Sequence, residues 1–309
     1  MSIAIVGNVN LDVKTSPIPA EERLFSDGET SIAEIYDSIG GGGANTAVAA
    51  ATMGGRVALC AAIGDDALGE RLRAYLVARR VEPLLAVKPA RTGRSLALNW
   101  DRRQRHFFSC LPSSLLLDAA DVDLAALAAG GVRHLYRADV WFAPRMLAQG
   151  NLQLFQQARS LGLDVSIDIN WDPHWSAGRD DPAVCNRIEA VRRTLSLATY
   201  AHGNERELCF FAGLTTRAEA ARWFFDQGVG GLIVHRGAQG SAALAPDGNV
   251  VEVPAASAPR TVNEAGTGDV FTAAFLLRDG TPMPQRLSAC NAIAAQHLAG
   301  EVQYLPAMD

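Results

Sequence analysis

The chain has 309 residues, 49% of them hydrophobic and 20% charged, with a formal net charge of -5. That composition supplies a soluble globular protein with ample core and gives no support to nucleic-acid or anionic-membrane binding, although a local basic pocket in an acidic protein can hold a small anion. Five scattered cysteines, Cys60, Cys110, Cys185, Cys209 and Cys290, form no CxxC pair, so reduced thiols and a cytoplasmic location are expected rather than a disulfide framework or structural zinc.

The N-terminal MSIAIVGNVNLDV has no basic leader, and its apolar run meets Asn8, Asn10 and Asp12 too early for a signal peptide. No apolar run is long enough to cross a bilayer. Ile3 to Val6, ended by Gly7, reads as a buried strand of a mostly parallel sheet whose C-terminal end delivers GNVNLD, and ligands of open α/β sheets bind at that end. Asn10 and Asp12 can together donate to and accept from vicinal hydroxyls, or simply form an Asx turn. Thr15 to Ile39, with Pro17 and Pro19, reads as an exposed excursion containing edge strands. It leads into GGGGANTAVAAATMGG, which is either a close approach of backbone to a ligand with Asn45 aimed at it, or a flexible loop before a tightly packed helix.

Arg56 to Ile63 is a further strand, and Gly64-Asp65-Asp66 with Gly69 turns into an amphipathic helix. RTGRSLALNWDRRQRHFFSC, Arg91 to Cys110, alternates apolar and polar residues around a charged turn at Asp101 to Arg105, as a hairpin does. Leu115 to Leu127 reads as a loop followed by a helix, Val132 to Tyr136 as a strand ending near Asp139, Leu152 to Leu161 as a helix, and Leu163 to Ile167 as a strand emptying into DINWDPHW. None of the six histidines has a partner at metal-ligand spacing. In HGNERELCFFAGL, Asn204 and Glu207 are placed to share a helix face and organise Mg²⁺, or to be a helix cap followed by a surface Glu. Gly231 to Val234 is a strand before HRGAQGSAAL. In NEAGTGDVFTAA, Gly266 and Gly268 permit a tight turn that offers bare N–H groups at a helix start, a seat for an anion; Asp269 beside it is a candidate proton acceptor. Ser288 to Ala299 is a small-residue helix carrying Asn291. The alternation of β and α segments predicts a three-layer α/β/α sandwich around a mostly parallel sheet, with right-handed crossovers.

NEAGTGD resembles the C-terminal signature DTxGAGD of the PfkB (ribokinase-like) family of carbohydrate kinases, with Asn263 for the first Asp, Glu264 for Thr and Thr267 for Ala. GGGGAN resembles the family's GGxGAN. DINWDPHW resembles DxNxRxxLW, with Asp168 and Asn170 in register, Trp175 near the final aromatic and Asp172 where Arg is usual. Asn204 and Glu207 reproduce NxxE, and HRGAQG resembles TxGxxG with His235 in place of Thr or Ser. The matches keep the family's order over nearly the whole chain.

The resemblance implies one ribokinase-like domain, 1–309, with a small β lid from approximately 13–39 and 91–110 that is often a dimer contact. It implies a sugar site of Asn10, Asp12, Gly41, Asn45 and Asp139, and a catalytic turn in which Asp269 is the general base and Gly266, Thr267 and Gly268, with the 265–268 amides, form the anion hole. ATP would be held by Asn204, Glu207, His235, Gly237, Gly240, Ala265 and Asn291, with Mg²⁺ at Asn204 and Glu207 through water. The cation lost at Asp172 calls either for a compensating one or for a nucleotide bound somewhat differently, and the hydroxyl lost at 235 for His235 or Arg236 as substitute. Asn263 stands where many members use an Asp beside a monovalent cation, which argues against potassium activation. Arg102, Arg103 and Arg105 are expected at a solvated hairpin tip; a phosphorylated sugar becomes a candidate substrate if they reach the pocket. A nucleoside kinase of the same fold and a non-catalytic sugar or nucleotide sensor remain rivals. A dinucleotide-dependent dehydrogenase lacks the GxGxxG spacing.

Overall fold

The computed structural model describes residues 2–19, 27–100, 105–262 and 264–308. Arg102 and Arg103 of the hairpin tip, and Asn263, lie outside the described residues. The chain opens with β1 (Ser2–Val6), β2 (Asn10–Thr15), β3 (Ile35–Gly40), α1 (Gly42–Thr52), β4 (Arg56–Gly64), α2 (Ala67–Ala78), β5 (Val81–Lys88), β6 (Arg94–Asn99) and β7 (Arg105–Cys110). The middle supplies α3 (Leu124–Ala129), β8 (His134–Arg137), α4 (Asn151–Ser160), β9 (Asp164–Asp168), α5 (Pro182–Arg192), β10 (Tyr200–Asn204), α6 (Glu205–Ala212) and α7 (Arg217–Asp226). It closes with β11 (Leu232–His235), β12 (Ser241–Leu244), β13 (Val250–Val253), α8 (Thr267–Leu276) and α9 (Met283–Leu298).

Nine strands form the main sheet in the order β13-β12-β11-β10-β9-β8-β1-β4-β5, with only β12 and β13 antiparallel to their neighbours. A strand buried on both faces must be apolar at every position, and β1 shows why the run Ile3 to Val6 has no polar alternation. Ala4 and Val6 pack into the core that holds α3 to α7, while Ile3 and Ile5 pack into the core that holds α1, α2 and α8. β4 divides in the same way, with Ala58, Cys60 and Ala62 on one side and Val57, Leu59, Ala61 and Ile63 on the other. The result is the three-layer α/β/α fold, and both helix layers deliver their turns to the C-terminal ends of the parallel strands.

A second sheet of four strands has the order β3-β2-β6-β7. β2 starts at Asn10, so Asn10 and Asp12 are ladder residues opposite Gly40 and Ser38 rather than members of an Asx turn. The Gly-rich run after β3 brings α1 against the end of β1 so closely that a Cβ on Gly43 would lie 2.7 Å from the Gly7 Cα. Both partners there are backbone, so neither can rotate away. Gly43→Ala is expected to destabilise the fold by about 1–3 kcal/mol through overpacking, read as a lower urea midpoint at unchanged slope.

Candidate active site

The two Gly-rich turns face one another. Gly266 is the N-cap of α8 in the left-handed region (φ 76°), and Asp269 lies in the helix's first turn. The Asn45 side chain, near the start of α1, donates from Nδ2 to Asp269 Oδ2 at 2.9 Å, joining residues 224 positions apart. Burial pushes the Asp269 carboxyl up to about 7, against the Asn45 hydrogen bond, which favours the charged form; Asp139 reinforces the rise, and Lys14 and Arg105 oppose it. A carboxyl poised near neutrality suits a base that must accept a proton from a hydroxyl. The amides of Gly268 and Asp269 fall in the first turn of α8, where a helix has no internal acceptors for them. The Thr267 amide points to the Glu264 carbonyl at 3.5 Å, and its hydroxyl donates to the same oxygen at 3.0 Å.

A cavity of about 670 Å³ opens between this turn and the second sheet, and Asn10, Asp12, Gly41, Asn45, Asp139, Ala265, Gly266 and Asp269 all line it. The sheet contributes one face. With side chains alternating along each strand, Asn10, Asp12 and Lys14 of β2 share a face with Ser95, Ala97 and Asn99 of β6 and with Ser109, Phe107 and Arg105 of β7. All nine line the cavity. Asn10 Nδ2 donates to Asp12 Oδ1 at 2.7 Å and to Ser95 Oγ at 3.3 Å. Burial raises the Asp12 carboxyl to about 6, with Lys14 opposing the rise.

Asp139, expected as a substrate contact, also accepts hydrogen bonds from the main chain. Its Oδ2 accepts from the amides of Asn8 (2.8 Å) and Gly43 (2.9 Å), and its Oδ1 from that of Gly42 (3.2 Å). The carboxylate lines the cavity, but three of its acceptor sites are committed to holding the glycine turn against the end of β1.

Of the expected nucleotide residues, Ala265 lines the cavity, whereas Asn204, Glu207, His235, Gly237 and Gly240 lie at the ends of the neighbouring strands β10 and β11 and Asn291 on α9, outside the lining. Asn204 and His235 are register partners at the ends of β10 and β11, and a Cβ on Gly268 would be 3.5 Å from His235 Nδ1. Asn204 and Glu207 form a capping box rather than sharing a helix face: Glu207 N donates to Asn204 Oδ1 and Asn204 N to Glu207 Oε2, both at 2.9 Å. Glu207 is not a surface residue either. Its Oε1 accepts from Trp171 N at 3.1 Å, and burial raises its carboxyl. Asp168, hydrogen-bonded by Tyr136 OH at 3.0 Å, is raised well above the usual range by burial and by the charges of Glu207 and Asp269. Among the described residues no three His, Cys, Asp or Glu side chains converge to hold a metal directly. Each Glu207 oxygen accepts one amide proton and keeps a free lone pair, and a row of mutually repelling carboxyls is a setting that a hydrated divalent cation relieves, so the residues fit Mg²⁺ held through water.

His235 and Arg236, the substitutes expected near the phosphates, both have contacts within the protein. His235 is packed on the Phe271 ring (centroids 4.7 Å apart) and burial holds its imidazole down at about 4, so it is neutral at physiological pH. Arg236 donates to Glu252 at 2.9 Å and to Gln239 at 3.0 Å. Asp172 is fully buried and takes the Arg187 guanidinium at 2.5 Å in an internal ion pair. Gly237 and Gly240 both have positive φ, 54° and 92°, and shape the turn between β11 and β12. Asn291 donates to the carbonyls of Val253 (3.1 Å) and Pro254 (2.9 Å), tying α9 to the end of β13.

Sequence reading missed Lys14, whose place in the cavity depends on strand pairing, and His297, whose Nε2 lies 3.0 Å from the Ala265 carbonyl across 32 residues. Alternation from Asn10 and Asp12 was the one signal that pointed to Lys14.

The pfkB family carbohydrate kinase model matches residues 2–299, and the chain belongs to that family. It is 23% identical over 316 residues to a 5-dehydro-2-deoxygluconokinase of Clostridium perfringens, covering 96% of this chain and 87% of that one. It is 26% identical over 269 residues to a 2-dehydro-3-deoxygalactonokinase of Haloferax volcanii, covering 82% and 80%. Among solved structures it is similar to a provisionally named ribokinase II of E. coli in complex with ATP and Mg²⁺, with a TM-score of 0.80 at 20% identity over 96% of this chain and 92% of that one. The family and these relatives identify a kinase that transfers phosphate to a sugar hydroxyl.

Because the Asn45 hydrogen bond favours ionised Asp269, Asn45→Ala is expected to move the rising limb of kcat/KM against pH upward from about 7. A carboxyl must be deprotonated to act as a base, so activity that depends on Asp269 in that role grows as pH rises through that value; a profile superimposable on the wild type would detach Asn45 from Asp269.

Proposed function

We propose that the chain phosphorylates a sugar or sugar derivative with ATP, and that Asp269 is its general base. As the acceptor hydroxyl oxygen bonds to the γ-phosphorus, the Asp269 carboxylate takes its proton, and the bond from that phosphorus to the departing ADP oxygen breaks. The N-terminal amides of α8 stabilise negative charge on the phosphoryl group in transit, at no reorganisation cost because the helix already fixes them. Mg²⁺ supplies charge neutralisation on the phosphates, and Glu207 with Asp168 are the groups suited to hold its waters. Asn45 orients the carboxyl, and Asn10 and Asp12 are placed to receive the remaining hydroxyls.

The observation that carries this reading is the single cavity in which Asp269, the start of α8 and the polar face of the second sheet meet. Asp269→Asn keeps the Asn45 contact geometry nearly isosteric and removes the basic oxygen. It is expected to leave the melting transition close to wild type while lowering kcat at least ~10²-fold, the low end for general-base catalysis. Turnover near wild type would reassign the base.

The same reading places the protein in the cytoplasm, where ATP is present; all five cysteines are free thiols. It also makes the outer face of the second sheet a homodimer contact. Leu96 and Phe108 are register partners there, 41% and 58% exposed. Sedimentation is expected to give a dimer that Phe108→Asp converts to monomer; a wild-type monomer would remove the dimer from the proposal.

A further inference from the structure

Lys14 is the residue of the cavity that a neutral polyol leaves unexplained. Its side chain is only 16% exposed, its Nζ lies 4.0 Å from Asp12 Oδ2, and the ammonium makes no hydrogen bond among the described residues. The Asp12 carboxylate at 4.0 Å offsets part of the cost of that seclusion, while the three N–H donors stay unused and can meet a further anion. Arg105 lines the same cavity from β7 and has no ion-pair partner among the described residues. The two cations are near enough that Arg105 depresses the Lys14 ammonium further, beyond the effect of burial.

Their position along the strands sets a polarity. Going outward from the glycine turns, the inner face of the second sheet runs from Asn10 to the Asp12 row with its Ser95 and Ser109 hydroxyls, then to Lys14, then to the row of Asn99 and Arg105. Lys14 stands two residues, roughly 7 Å, beyond Asp12, within the length of a hexose chain. The inner end is acidic, with Asp12, Asp139 and Asp269, and repels an anion; the outer end attracts one. A chain molecule with hydroxyls at one end and an acid group at the other therefore has one favourable direction in the cavity, and that direction turns its hydroxyls toward Asp269.

We infer that the acceptor is an anionic sugar derivative whose acid group is held by Lys14 and Arg105. This rests on the reading of the cavity as the sugar site of a kinase. A carboxylate and a phosphate ester share the chemistry these cations recognise, and binding measurements separate the two sources.

The test is calorimetric titration of the full-length wild type with gluconate, 2-dehydro-3-deoxygluconate, glucose 6-phosphate and ribose 5-phosphate, against the neutral parents glucose and ribose. At least one anionic probe is expected to bind ~10-fold or more tightly than its neutral parent, as one desolvated charge-assisted contact would give; whether acids or phosphate esters win names the source. The anionic preference is expected to collapse in Lys14→Gln and to shrink in Arg105→Gln, which sits on an exposed strand position and guards against misfolding of the first variant. Neutral sugars binding as well as or better than every anionic probe, or an anionic preference unchanged in both variants, overturns the inference. Because binding is read without turnover, a protein that binds acids selectively yet transfers no phosphate would sink the kinase reading and leave this one standing.

Discussion

The contact between Asn45 and Asp269 is the joint on which the site depends. It bridges two segments that sequence separates by most of the chain, and it links the start of one helix to the start of another on the same side of the main sheet. Without it, the carboxyl is a buried acid with no fixed direction; with it, one oxygen is anchored and the other is left for a proton. The energetic tension is local and legible: removal from water resists ionisation, and the amide donor, Lys14 and Arg105 favour it. A group held between those influences near neutrality can exchange a proton cheaply, which neither a surface Asp nor a deeply isolated one can do.

Support for that joint comes from beneath. Asp139 gathers amides from both the end of β1 and the first residues of the glycine turn, and Gly7 and Gly43 let the two backbones touch. Such an arrangement makes the turn part of the sheet's own packing rather than a mobile loop. It also explains why an acid facing the cavity need not be a substrate contact: hydrogen-bond capacity spent on main chain is not available to a ligand.

Much of the fold was legible because its signals are local. Fully apolar strands, glycine before helix and the alternating hairpin at β6 and β7 each rest on neighbours in sequence, and they located the elements to within a few residues. The site divided differently. Asp269, Asn45, Asn10 and Asp12 were readable from turns and short polar runs. Lys14 was not, because its significance arises only once β2 pairs with β6 and turns the same face toward the cavity. For Asn204 and Glu207 both a shared helix face and a helix cap followed by a surface Glu were open, because spacing alone cannot distinguish residue positions inside a helix from the cap before it; Asn204 is the cap, and Glu207 is drawn inward. Asp172 was legible as a missing cation, but the Arg187 that answers it is fifteen residues away on α5 and faces inward, so nothing in the local pattern announced the pair.

Two separate sheets carry the site, and that separation has a bearing on how such a protein can change. The groups proposed to move the proton and seat the travelling phosphoryl group belong to helices packed on the nine-stranded core, where most alterations disturb stability. The groups proposed to greet the outer end of the acceptor sit on the separate four-stranded sheet. Acceptor choice can thus be rewritten by a few replacements on that sheet while the machinery underneath is left untouched, a division of labour that lets one scaffold diversify without relearning its chemistry.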